Sequence, residues 1–235
     1  MAPLLVAVSV LATCSCVNML QTAFPIVFLP ELNQTEAEAV RQFRTEELSQ
    51  LSRPDLVRVW HTLPPPTYGR GLAGFHRGEI IRVGPLHPVS RVLTHRLFGP
   101  GLWEGKRLSP RNGRGENVFV ERTAQSGRRG GGGGGGRWGR GAKKTRDKPF
   151  KMSIGPSCID KKPCLVLDYG NAAGGAGGGR GANSFPWCTM RDELREVRPG
   201  VLLGMGGMGA TLGNLNSAMF TLSRGGRKSP PPKRW

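Results

Sequence analysis

The residues most able to do chemistry lie in Arg191-Asp192-Glu193-Leu194-Arg195-Glu196, the densest charge cluster outside the basic segments. Neighbouring carboxylates can share general acid and base work. In a β-strand, successive side chains point to opposite faces. Arg191, Glu193 and Arg195 then fall on one face, and Asp192, Leu194 and Glu196 on the other. Alternating arginines neutralise the acids, so the expectation is ion pairing, with Arg191 and Glu193 as candidates for holding a ligand headgroup. His61, His76, His87 and His95 lack Cys, Glu or second-His partners at metal-ligand spacing. His95 is retained as a candidate at a ligand site. No metal or cofactor is expected. G-x-S-x-G, Walker and dinucleotide fingerprints are missing, and no P-loop lysine or amphipathic helix follows Gly204–Gly209. The balance leans away from an enzyme.

A second chemistry is electrostatic. The chain of 235 residues carries a net charge of +18. Residues 122–151 supply +9 of it and residues 224–235 another +5, so the basicity belongs to two segments and not to a whole face. The first holds Arg128, Arg129, Arg137, Trp138 and Arg140 among glycines. Arginines can neutralise phosphates and a tryptophan can stack on a base, so these five are the candidate contacts to nucleic acid or to an anionic membrane surface. The same run also reads as a low-complexity insertion.

The elements that would position these groups follow from pattern. Residues 1–30 carry no charged side chain and read as a signal or anchor-like segment, favouring the secretory pathway or a membrane over the cytoplasm. Residues 31–66 read as a helical lead-in. Thr35 with Glu38 forms a capping-box pattern, and Ser52 with Asp55 opens a second helix whose Leu56, Val59, Trp60 and Leu63 share a face. Residues 67–224 then alternate in short turn-punctuated runs such as Val118–Thr123, Phe150–Gly155 and Cys164–Gly170. Inserts at 124–148 and 170–183 and a basic tail at 225–235 are expected to be disordered. The five cysteines form no CxxC pair and read as free thiols.

The stretch Gly74–Leu108, with Gly101-Leu102-Trp103-Glu104-Gly105-Lys106, is similar to small, uncharacterised lipocalin-like barrel proteins that carry a G-x-W-x-G-K segment. The later Asp168-Tyr169, the Arg191–Leu194 strand and Asn216–Arg224 resemble the second half of such proteins, so the likeness runs from about Leu51 to Arg224. The resemblance implies a mainly β, antiparallel, lipocalin-like barrel of about 7–8 strands with two short N-terminal helices. It implies that Trp103 starts the first strand and plugs the barrel bottom, with Arg191, Arg195 or Arg224 stacked on it. It also implies a small apolar or amphipathic ligand, with Trp103 and Lys106 at the site. The alternative is an Arg-Gly-rich protein contacting RNA or another polyanion.

Overall fold

The computed structural model describes residues 13, 16–17, 19–81, 101–120, 144–172, 183–209 and 213–224, with the backbone alone at 214–216. Eight antiparallel strands close into a barrel in sequence order: β1 (Gly74–Ile80), β2 (Leu102–Ser109), β3 (Arg114–Val120), β4 (Lys144–Pro156), β5 (Pro163–Asp168), β6 (Met190–Arg198), β7 (Val201–Met208) and β8 (Gly213–Arg224). Closure comes from β1 pairing with β8, His76 opposite Arg224 and Ile80 opposite Phe220. The lipocalin-like barrel expectation holds. β4 starts at Lys144, so residues 144–148 of the expected insert are strand. Their polar sequence hid this: Lys144 pairs with Glu104 and Arg146 with Glu116 on the outer surface.

Two apolar layers follow from the alternation. One fills the barrel: Trp103, Leu108, Phe119, Phe150, Leu165, Leu167, Leu194, Leu202, Phe220 and Leu222 are among its buried members. The other coats the outside of β5 to β8, where Cys164, Val166, Val197, Val201, Leu203, Met205 and Met219 meet the N-terminal helices. Those helices are α1 (Gln34–Gln42), α2 (Thr45–Leu48) and α3 (Arg53–Thr62). The α1 cap is Asn33, whose side chain accepts from the Glu36 N–H while Glu36 returns a bond to the Asn33 N–H. This displaces the expected Thr35–Glu38 box by two residues. Ser52 caps α3 through the Asp55 N–H, as expected. Residues 19–28 are also helical and lie against this layer through Ile26.

The two ends of the barrel differ. At one end the connections are tight: residues 110–113, 157–162 and 199–200, with Gly113 and Gly200 at positive φ. The chain before β1 crosses this end. Leu72 joins the interior cluster, and the Tyr68 hydroxyl donates toward the carbonyls of Pro110 (3.2 Å) and Met152 (3.5 Å). At the other end the connections are residues 81–101, 121–143, 169–189 and 209–212. Ile80, Trp187 and Met208, half-buried, pack on the interior cluster there.

Candidate functional site: a buried lysine in an aromatic box

Simple alternation would put Trp103 and Lys106, three residues apart, on opposite faces. A β-bulge between Trp103 and Gly105 inserts one extra residue and turns both inward. Gly105 makes the bulge possible. Its φ is 152°, and a Cβ there would stand 2.0 Å from the His76 carbonyl oxygen. Gly78 leaves room for the indole, since a Cβ on it would lie 2.2 Å from Trp103 Cη2. A second bulge between Glu116 and Asn117 leaves Lys148 unpaired at φ 52°. The Lys148 carbonyl is there to accept from Asn117 Nδ2 at 3.2 Å.

Lys106 is 3% exposed. Its Nζ donates to Asn117 Oδ1 (2.8 Å) and the Tyr169 hydroxyl (2.7 Å), and lies 2.7 Å from Asp192 Oδ2. Three acceptors satisfy the three N–H groups of an ammonium. Four rings surround the same nitrogen, with centroids 5.3 Å away for Phe220 and 5.4 Å for Trp103, Phe150 and Tyr169. Trp103 Nε1 donates to Asn117 Oδ1 at 3.0 Å, Asn117 Nδ2 donates to the Tyr169 hydroxyl at 3.0 Å, and that hydroxyl donates to Asp192 Oδ2 at 2.8 Å. Burial pushes the Lys106 ammonium down from its ordinary range, and the Asp192 charge and hydrogen bond push it back up. Burial, reinforced by the Asp192 charge, raises the Tyr169 phenol well above its ordinary value. The group is a neutral phenol and an ion-paired Lys106 and Asp192 held in a buried aromatic box.

The sequence-derived candidates separate. Trp103 and Lys106 belong to this interior cluster. Trp103 sits on the second strand, near the end opposite the one closed by Leu72 and Tyr68, so it neither starts the first strand nor plugs the bottom. The cation against its ring is Lys106, not an arginine. Arg195 instead lies 4.8 Å from the ring of Trp60 on α3, on the outer wall. Arg195 also forks onto Asp160, with both N···O distances 2.7 Å. Asp160 is 2.9 Å from His61 Nδ1, and Glu31 is 3.0 Å from His61 Nε2. Arg191 and Glu193 stand on the outer face as well. Glu193 is fully buried and accepts from Arg191 Nε (2.9 Å), Ser157 Oγ (2.6 Å) and the Cys158 N–H (2.8 Å), fixing the 157–162 turn. Arg224 reaches the Gly71 carbonyl. His95, Arg128, Arg129, Arg137, Trp138 and Arg140 lie outside the described residues.

Three interior members were missed. Alternation puts Asp192 on one face with Leu194 and does not by itself say which face points inward. Leu194, two residues on, carries that signal. Asn117 and Tyr169 needed bulge and strand-end geometry. Among the described residues, no cluster of three His, Cys, Asp or Glu side chains could hold a metal ion, and Cys16, Cys158, Cys164 and Cys188 are free thiols.

No family model matches this chain, and no curated protein does. The crystal structure of a protein from Thermomonospora curvata is similar over 79% of this chain and 98% of its own, at 13% identity and a TM-score of 0.47.

Proposed function

We propose that the chain is a non-enzymatic barrel that binds a small apolar or amphipathic ligand at the end bearing the long connections. The supporting observation is the asymmetry of the barrel. One end is sealed by Leu72 and Tyr68 over tight turns. The other has a half-buried apolar rim of Ile80, Trp187 and Met208 above the Trp103–Phe220 ring pair, whose centroids are 5.6 Å apart at 85°. Ligand sites combine mostly apolar walls with a few fixed polar groups, and an eight-stranded interior has room for side chains or one small ligand. The Lys106–Asp192–Tyr169–Asn117 network supplies a rigid polar floor. Its saturated hydrogen bonding favours holding over nucleophilic chemistry.

The test is native mass spectrometry and organic extraction of the purified protein, followed by titration with the fluorescent probe 1-anilinonaphthalene-8-sulfonate. Ile80→Arg or Met208→Arg should abolish probe binding. Ile154→Arg, on the exposed outer wall, should leave it unchanged. Equal binding by all four proteins would refute the reading. Nucleic acid that co-purifies and is released by salt, with no small molecule, would favour contact through the Arg128–Arg140 segment instead.

A further inference from the structure

Arg53 opens α3 and is 4% exposed. It sits on the outer wall, beneath the 19–28 helix and against β8. Its Nε and Nη2 reach Thr22 Oγ1 at 3.3 and 3.0 Å, and Nη2 reaches Ser217 Oγ at 3.4 Å. Both partners are neutral hydroxyls. Nη1 has no acceptor among the described residues and is not one of their buried orphaned atoms, so it is the edge of the guanidinium that solvent can reach; no carboxylate comes within ion-pairing distance there. The sequence makes this more telling. Of its sixteen Asp and Glu residues, all but Glu121 lie among the described residues. Among the described residues, the other buried Lys and Arg side chains have counter-ions: Lys106 has Asp192 and Arg195 has Asp160.

A largely buried charge without a counter-ion is costly, and such ions in proteins are usually paired. Arginine presents planar N–H forks that match oxyanions. The helix over this arginine belongs to a stretch, residues 1–30, with no charged side chain, and it exposes Leu20, Phe24, Val27 and Phe28. A charged group below and apolar side chains above suit an amphipathic ligand with an anionic end. We infer that Arg53, with Thr22 and Ser217, forms an oxyanion site on the outer wall that takes a phosphate group, carried by a lipid headgroup or as free phosphate. The site is separate from the barrel interior, so it stands or falls independently of the proposed ligand end. Burial brings the guanidinium pKa down to about 10, which leaves it charged at neutral pH.

The experiment uses the full chain and the Arg53→Met and Ser217→Val variants. Each is titrated calorimetrically with inorganic phosphate and sedimented with vesicles of phosphatidic acid or phosphatidylcholine, at constant ionic strength. The basic segments are common to every variant, so any phosphate they bind cancels and the difference from wild type is the signal. Loss of a charge-assisted contact of about 1.5–3 kcal/mol predicts about 10- to 150-fold weaker binding in Arg53→Met. Ser217→Val, which keeps the charge, should weaken binding less and gives the answer if Arg53→Met does not fold. Weakening toward phosphate and phosphatidic acid together identifies the group as phosphate from either source. Weakening toward phosphatidic acid vesicles alone identifies a lipid headgroup. Wild-type affinity for both ligands in Ser217→Val, and in Arg53→Met where it folds, overturns the inference.

Discussion

Replacing Lys106 by Met keeps the length of the side chain and removes the ammonium from the aromatic box. Three bonds of 2.7–2.8 Å are lost at once. Asp192 Oδ2 keeps the Tyr169 hydroxyl, and Asn117 Oδ1 keeps the Trp103 indole. The carboxylate, 2% exposed, then has no counter-charge. Breaking one side of a buried ion pair costs about 3–5 kcal/mol. For a domain of this size each kcal/mol moves the melting temperature by about 2–4 °C, so the expected loss is about 6–20 °C. Asp192→Asn should cost a similar amount, because it leaves the ammonium with neutral acceptors only. The double variant is the decisive one. With both charges gone it should be more stable than the summed single losses imply, by a coupling of about 1–3 kcal/mol. Urea unfolding followed by far-ultraviolet circular dichroism gives all four free energies, provided the denaturant slope is unchanged. A Lys106→Met variant within about 0.5 kcal/mol of wild type, or strictly additive losses, would refute the view that this pair is one electrostatic unit.

Gly78→Ala should destabilise by at least about 1–3 kcal/mol through collision with Trp103, and by less when combined with Trp103→Leu; thermal melting of the three variants decides this. Burial, with the Glu193 charge adding and Arg195 opposing, pushes the Cys164 thiol from 9.0 to about 12. The folded state therefore keeps a proton that the unfolded state releases, so stability falls as pH rises from about 9 toward 12, by up to about 1.4 kcal/mol per unit. Cys164→Ala should flatten that slope in urea titrations at pH 8–10.5. Burial raises the Asp160 carboxyl, but the bond and charge from Arg195, with His61 adding to them, bring it below its ordinary 3.8. Its contribution is present above that value and lost as pH falls further, so Asp160→Asn should be less stable at neutral pH and show a shallower acid limb.

The meander was legible because each strand carries its own alternation. Phe150 and Met152, Leu165 and Leu167, and Phe220 and Leu222 repeat with period two and all end inside. What escaped depends on irregularity or on distance along the chain. The bulge at Glu104 cancels the parity that would have separated Trp103 from Lys106. Lys144–Lys148 looks like an extension of the basic insert, since its charges are answered by Glu104 and Glu116 on other strands. Arg195 meets Trp60 across 135 positions, and no local pattern reports that contact. Of the arginines expected on the tryptophan of β2, Arg191 and Arg195 lie on the outer face of β6, opposite Leu194, and Arg224 at the end of β8 reaches the Gly71 carbonyl instead.

The strand order also dictates how this molecule can be divided. Every ladder joins neighbours in sequence except the one between β1 and β8. The chain between Val120 and Lys144 spans one connection at the long-looped end. A cut there leaves one piece ending in β1–β3 and another holding β4–β8. Two strand seams join them, β3 to β4 and β8 to β1, together with the apolar layer in which the N-terminal helices of the first piece coat β5 to β8 of the second. The lysine falls on the first piece and its aspartate on the second, so each half would bring one charge of a pair that neither can bury alone. The halves, expressed separately, are thus natural partners for reassembly, with the ion pair at the barrel's heart selecting the correct match.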